Sequence, residues 1–450
     1  MSVFQSVNPA TGKTLHTAPA WTHTELTTVL DHQAAQWPAL AKATVPRRLV
    51  WLESLKQQLS SAKTVLARTI TREMGKPIRQ SEAEVDKTLA LIDFLLGHAD
   101  SALHPRTLAS DVQQAYAPLG GILGIMPWNY PIWQVCRFAL PALVAGNTVA
   151  VKPAPNVLLS TRMLEQLVAD AGFPDQSLRV LQADVEQLDH AYDHPHIRQV
   201  HFTGSSHAGR DIAAACGQRL KPTTLELGGN DAWLLTDSGD LPRFVETALA
   251  SRMNNSGQSC LCAKRWLIPH GRLDAVLNEL DTHLKTYTPA PPEQTDTTLG
   301  PLARSDIQAR LLTQWQRLKA GAKVRSEDPS LEGLYTGPAW AVTDEPLKSP
   351  VWPDEIFGPV LQLATYRDLD EAVTWANHSR YGLGGSVWDA DPAHARDIAL
   401  KLNTRNIGIN RPMRSRIDVA FGGMGDSGWG AELGVDGLRG LARGQMQFLD

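Results

Sequence analysis

The chain has 450 residues, 43% of them hydrophobic and 20% charged, with 43 Lys+Arg against 47 Asp+Glu. That length buries the cores of two or three domains, and a net charge of −4 offers no basic surface to a nucleic-acid polyanion or an anionic membrane. No run reaches the ~18 apolar residues of a membrane span, Met1 to Pro19 lacks the apolar core of a signal peptide, and four cysteines are too few for a disulfide scaffold. The expectation is a cytoplasmic chain with reduced thiols, no bound metal and a small-molecule ligand.

In chain order, Val3 to Leu15 reads as a strand-like opening, and Val45 to Glu73 as a long amphipathic helix with Leu49, Leu52, Leu55, Leu59 and Leu66 at helical spacing. From Gly120 short apolar runs alternate with helix-period segments such as Leu159 to Ala171. The runs GGILGIMPWN, NTVAVKP, SLRVLQ, IRQVHFTGS and TTLELGG predict the buried strands of βαβ units in a mostly parallel sheet. After Gly229 a second alternation begins, with AWLLTD, RWLIPH, PVLQLATY, GGSVWD and NIGIN as strands. Two successive α/β blocks predict two domains and a ligand cleft between them. Glu293 to Thr298 and Glu327 to Gly337 read as surface loops. The 13 Trp residues suggest packing more than a binding platform.

The densest chemical signal is the run Asn255-Ser256-Gly257-Gln258-Ser259-Cys260, followed by Leu261 and Cys262. A lone Cys beside Gly and Ser is most often a small loop residue. Here Glu226 stands upstream in LELGGND, a carboxylate wedged between apolar residues at a strand end. A thiol nucleophile needs access and activation, and a partly buried carboxylate has the raised pKa of a base. The two residues together make covalent catalysis with a water-activating base possible.

At this point the sequence resembles the aldehyde dehydrogenase superfamily along nearly its whole length. The resemblance is carried by NPATGKTL, TREMGKP, MPWNYP, VKPAPN, FTGSSHAGR, ELGG, NSGQSC, PDEIFGPV and AFGGMGDSGWGAELG in that order, with Cys260 lying 34 residues after Glu226. It implies an α/β fold with a Rossmann-type NAD(P)-binding domain (residues 1–99 and 119–226), an α/β catalytic domain (227–430) and a small β oligomerisation element (100–118 and 431–450). A homodimer or higher homo-oligomer is implied with it.

By the same resemblance Cys260 is the nucleophile, Asn129 the oxyanion donor and Glu226 the base that hydrolyses an acyl thioester. NAD or NADP is implied as cofactor, with Gly204 and Ser205 at its pyrophosphate, Lys152 at the adenosine ribose, Glu355 at the nicotinamide ribose, and Phe357 and Trp128 in its pocket. Pro155 stands where many NAD-specific relatives carry a Glu that repels a 2′-phosphate, so both cofactors are expected to serve.

Within the superfamily the chain is most similar to the short-type succinate-semialdehyde dehydrogenases. That likeness implies Arg137 as a clamp on the substrate's distal carboxylate, Ser415 as its hydroxyl partner and Trp133 as a wall of the tunnel. An internal salt bridge is the competing role for Arg137, and Asn254 stands where some relatives have a second Arg. A medium-chain or aromatic aldehyde is the alternative substrate. Cys262 reads either as apolar filler or as a redox partner of Cys260.

Rival classes are separated by the same residues. A CoA-acylating relative typically lacks the hydrolytic Glu, and a cysteine hydrolase needs no nicotinamide. A catalytically silent binding or structural protein on this fold has no use for nucleophile, base and amide donor together.

Overall fold

Two long N-terminal helices owe their limits to local chemistry. In the computed structural model, which describes residues 3–320 and 328–450, the helix Val45–Met74 starts behind Thr44, whose hydroxyl accepts the Arg47 N–H at 3.4 Å. It ends at Gly75, in the left-handed conformation that glycine adopts without strain. Of the predicted stripe, Leu52, Leu55, Leu59 and Leu66 lie fully buried, joined by Ile70, while Leu49 is half-buried. Near its end Glu73 accepts the Leu159 and Ser160 N–H groups, at 2.8 and 2.9 Å, and so caps the helix Leu158–Asp170. The following helix, Ile78–Leu103, does the same with Glu84, which accepts the Ile132 and Trp133 N–H groups at 2.9 Å and caps the helix Trp133–Val144. Lys76 is ion-paired to that buried carboxylate.

The first sheet has six strands in the order Gly428–Trp429, Thr223–Glu226, Ile197–Thr203, Gly121–Met126, Thr148–Pro153, Leu178–Val180. All are parallel except Gly428–Trp429. The chain starts in the middle at Gly121–Met126, builds outward to Leu178–Val180, then returns to the opposite side with Ile197–Thr203. That reversal makes a topological switch point, where ligands of open α/β sheets bind.

The second sheet runs Ala339–Thr343, Val360–Tyr366, Arg265–Pro269, Ala232–Leu235, Gly384–Trp388, Asn406–Ile409, all parallel. Its core carries Trp233, Trp266 and Trp388 around Phe244, which accounts for part of the high tryptophan content by packing. Glu226 ends a strand of the first sheet and Ala232 begins one of the second, so the carboxyl edge of one sheet leads directly into the amino edge of the other.

A third, antiparallel sheet joins Arg106–Ala109, Val112–Pro118 and Ala442–Phe448, the last two in unbroken register with Ala115 opposite Gln445. Residues 100–103, expected in the small β element, are instead the last turn of the helix Ile78–Leu103, because Ala102 and Leu103 continue its buried stripe. Two strands had no clear expectation: Ala339–Thr343, and the two-residue Gly428–Trp429, which pairs with the Glu226 strand. The loop expected from Glu327 contains a short ladder between Leu331–Glu332 and Tyr335–Thr336, while Glu327 itself, like Met1 and Ser2, lies outside the described residues. Among the described residues no helix is long and apolar enough to cross a membrane.

Candidate active site

The loop that presents Cys260 is held in an unusual backbone path. After the helix Leu241–Met253, three consecutive residues have positive φ: Asn255 at 53°, Ser256 at 54° and Gly257 at 74°. Such conformations persist only where surroundings over-determine them. Here Asn255 donates from Nδ2 to the Asn129 carbonyl (2.9 Å), and its N–H meets Gln80 Oε1 at 2.7 Å. Gln258 accepts the Ala303 N–H through Oε1 (2.9 Å), and Gly358 N–H donates to the Gly257 carbonyl at 3.1 Å. A Cβ on Gly257 would stand 2.2 Å from the Gly358 carbonyl oxygen, so the close approach requires glycine. Beneath the loop, fully buried Arg252 donates to the carbonyls of Gly257, Ile356 and Val360.

Cys260 itself is half-buried. Burial pushes its thiol up to about 12, opposed mainly by the neighbouring Lys264 ammonium. Lys264 Nζ donates to the carbonyls of Ser259 (2.9 Å) and Cys260 (2.6 Å) and pairs with Glu355 at 3.2 Å, tying the nucleophile loop to the loop before Val360. Cys262 is buried, its sulfur 3.1 Å from Arg252 Nη1 and 3.4 Å from the Ser259 carbonyl.

Asn129 follows the strand Gly121–Met126 and reaches the same loop, donating from Nδ2 to the Gln258 carbonyl at 3.0 Å. Glu226 closes the strand Thr223–Glu226 and is almost wholly buried. Burial pushes its carboxyl up to about 8, with Arg137 opposing. Arg137, also buried, forms an ion pair with Glu432, lies 4.0 Å from Glu226 Oε2 and donates to Thr203 Oγ1 at 3.3 Å. His201 Nδ1 meets the other Glu432 oxygen at 2.8 Å. The internal salt bridge weighed for Arg137 is therefore what the structure shows; its guanidinium has carboxylate neighbours before any substrate arrives. Coupling to Arg137 and His201 keeps the Glu432 carboxyl below its usual range despite burial.

At the switch point, Gly204 and Ser205 connect the strand Ile197–Thr203 to the helix Ser206–Gln218, whose first turn is capped by Ser205 Oγ accepting the Ala208 N–H (3.3 Å). Lys152 lies near the end of the adjacent strand, its pKa brought down by burial to about 8. Glu355 accepts the Gly229 N–H at 3.1 Å, and a Cβ on Gly228 would stand 2.5 Å from its other oxygen. Trp128 packs edge-on against Phe357 with ring centroids 5.8 Å apart.

A cavity of about 640 Å³ opens over the nucleophile and is lined by Cys260, Trp133, Arg137, Ser415, Tyr130 and Phe421, among others. Ser415 Oγ accepts from Lys87 Nζ at 2.7 Å, and the same ammonium lies 4.1 Å from the Trp133 ring centre. Residues that sequence reasoning passed over thus include Lys87, Lys264 and Glu432. Glu432 lay inside the string AFGGMGDSGWGAELG and Lys264 two residues past Cys262, whereas Lys87 sits in an ordinary amphipathic helix with no local signal.

Two sheets meeting at a cleft with a strained, thiol-bearing loop define the class, an α/β enzyme built for covalent chemistry on a cysteine. The chain belongs to the aldehyde dehydrogenase family, whose model matches residues 2–445. It is 35% identical to a succinate-semialdehyde dehydrogenase [NADP(+)] of Deinococcus radiodurans, over 97% of this chain and 92% of that one. It is also 35% identical to a succinate semialdehyde dehydrogenase [NAD(P)+] of Escherichia coli, over 96% and 95%. Among solved structures, a succinic semialdehyde dehydrogenase from Streptococcus pyogenes in complex with NADP+ superposes with a TM-score of 0.95 at 29% identity, covering 99% of each chain.

Proposed function

We propose that the protein oxidises succinate semialdehyde to succinate with NAD or NADP, through a thioester on Cys260. The observation that carries this reading is the cavity over Cys260, whose lining holds Lys87, Arg137, Arg243 and Arg414 against two carboxylates, Glu84 and Glu246. A cationic cavity favours an aldehyde bearing a carboxylate. The names of the Deinococcus and Escherichia relatives support the same substrate and both cofactors.

In this mechanism the Cys260 thiol gives up its proton to water as its sulfur attacks the aldehyde carbon, and the carbonyl electrons move to oxygen, toward the Asn129 amide and the Cys260 N–H. A bound nicotinamide supplies the hydride-accepting chemistry that turns this adduct into the thioester. Glu226 then takes a proton from water, the resulting hydroxide adds to the thioester carbon, and the Cys260 thiolate leaves with its electron pair. The cofactor residues fit such a group. Gly204 and Ser205 open a helix at the switch point, and Glu355 offers a carboxylate where Gly228 has no side chain to fill the space. Trp128, Phe357 and Lys152 complete that proposed pocket. The proposed domains are residues 1–99 and 119–226 for the cofactor, 227–430 for catalysis, and 100–118 and 431–450 for self-association, although Gly428–Trp429 crosses from the catalytic segment into the first sheet.

A second reading, a medium-chain or aromatic aldehyde, draws on Trp133, Tyr130 and Phe421 in the same cavity. A panel of aldehydes assayed with each cofactor decides: succinate semialdehyde should give the highest kcat/KM, and a higher value for hexanal or benzaldehyde overturns the reading. NAD and NADP should differ by less than about a thousandfold, or ~4 kcal/mol.

A further inference from the structure

Lys264 does not line the substrate cavity. It stands just before the strand Arg265–Pro269, its carbonyl accepting the Gln362 N–H at 3.2 Å, and its side chain is fully buried. From there it turns back beneath the nucleophile. An ammonium has three N–H donors. The contacts of Nζ account for all three: the Ser259 carbonyl at 2.9 Å, the Cys260 carbonyl at 2.6 Å and Glu355 Oε1 at 3.2 Å. Gly229 closes the arrangement. Its N–H donates to the same Glu355 oxygen at 3.1 Å, and a Cβ there would stand 2.6 Å from the Cys260 carbonyl oxygen, so the approach of that carbonyl requires glycine.

A buried ammonium is costly to keep, and neutral donors would serve two carbonyls as well. What no neutral donor supplies is charge beside the sulfur. The Cys260 proton must leave for the sulfur to attack, and a nearby cation stabilises the thiolate that remains. Burial raises the thiol, Lys264 opposes that rise most and Arg137 acts with it, while Glu355 and Glu226 act against both. Lys87 and Tyr130 face the sulfur from the cavity, and Cys262, Asp231 and Arg252 surround Lys264 itself.

We infer that Lys264 is a positioning residue for Cys260: it fixes the nucleophile's carbonyl and gives the sulfur its positive field, while Glu355 draws part of that field away. The inference rests on the proposed role of Cys260 as nucleophile and deepens it. Glu355 is also the carboxylate proposed to hold the nicotinamide ribose. The thiol and the proposed cofactor pocket therefore share one cation.

The test needs neither aldehyde nor cofactor. The rate at which iodoacetamide alkylates Cys260, followed by mass spectrometry of its peptide between about pH 7 and 10, reports the thiolate fraction. A unit charge a few ångströms away inside a protein changes that fraction about ten- to a hundredfold, so Lys264→Met should slow alkylation by that factor and displace the rising curve to higher pH. Lys264→Arg should stay within about threefold of the wild type, and Glu355→Gln, which removes the opposing charge, should react at least about threefold faster. A folded Lys264→Met within about threefold of the wild type, a Lys264→Arg as slow as Lys264→Met, or a Glu355→Gln that is no faster overturns the inference. Thermal melting identifies a Lys264 variant that has not folded, and the Glu355→Gln rate then decides by itself. Aldehyde turnover retained in Cys260→Ser overturns the nucleophile assignment and the inference with it, whereas loss of that turnover beside unchanged alkylation in Lys264→Met overturns the role of Lys264 alone.

Discussion

Arg137 and Glu432 form a buried ion pair behind the Cys260 cavity, and Glu226 lies 4.0 Å from the same guanidinium. One cation thus serves two buried carboxylates, only one of which is proposed to titrate during catalysis. The network couples the proposed base to the C-terminal segment through Arg137 and Glu432.

Removing the Arg137 charge should therefore damage the fold and the reaction of every aldehyde alike. Arg137→Gln leaves Glu432 and Glu226 without their cation, and breaking a buried pair in this way costs about 3–5 kcal/mol. Denaturant unfolding should show that loss, and kcat should fall for butanal as well as succinate semialdehyde. A variant of unchanged stability that loses only succinate semialdehyde would restore Arg137 as the carboxylate clamp.

The pH dependence of hydrolysis should follow Glu226. Its carboxyl is pushed up to about 8 by burial, and only the ionised form accepts a proton from water. Thioester hydrolysis should rise as pH increases toward 8 and level off above it, and Glu226→Gln should abolish both the rise and most of the turnover. The same shift affects stability. The folded chain retains a proton that the unfolded chain releases above 4.5, so this contribution is full below 4.5 and is lost as pH rises to about 8. Pre-steady-state acyl release across that range checks the kinetic part, and a flat profile contradicts it.

Gly257 should tolerate no side chain. Alanine there must adopt φ near 74° and place Cβ 2.2 Å from the Gly358 carbonyl. The left-handed conformation alone costs about 1–2 kcal/mol, and the collision moves the loop that carries Cys260. Gly257→Ala should lose activity out of proportion to its loss of melting temperature. Activity near that of the wild type would show that the loop path is not required.

Oxidation distinguishes the two roles of Cys262. For a bond to Cys260 to form, its sulfur must leave Arg252 Nη1, now 3.1 Å away. If that exchange occurs, peroxide should inactivate the wild-type enzyme reversibly by dithiothreitol, while Cys262→Ser should be inactivated without full recovery, because its Cys260 oxidises past the disulfide stage. Full recovery of the variant would assign Cys262 to packing.

Much of this architecture was legible locally. Strands such as GGILGIM and NTVAVKP are mostly apolar and buried along their length because both faces are covered, and the long helix shows its leucines at helical period. Gly428–Trp429 was not legible, since two residues carry no periodicity and pair only because Thr223–Glu226 presents an open edge.

The sequence by itself determined which residues could carry chemistry: the cysteine in its Gly/Ser loop, the carboxylate between apolar neighbours, the amide in MPWNYP. Only the tertiary structure decided how charge is shared among them. Whether Arg137 or Lys87 is available to a substrate depends on which carboxylates the fold brings within a few ångströms. Glu432 reaches Arg137 from the far end of the chain, whereas among the described residues Lys87 forms no ion pair with a carboxylate and meets a hydroxyl and a ring. Electrostatic interaction depends on distance and burial, and neither is written in local pattern.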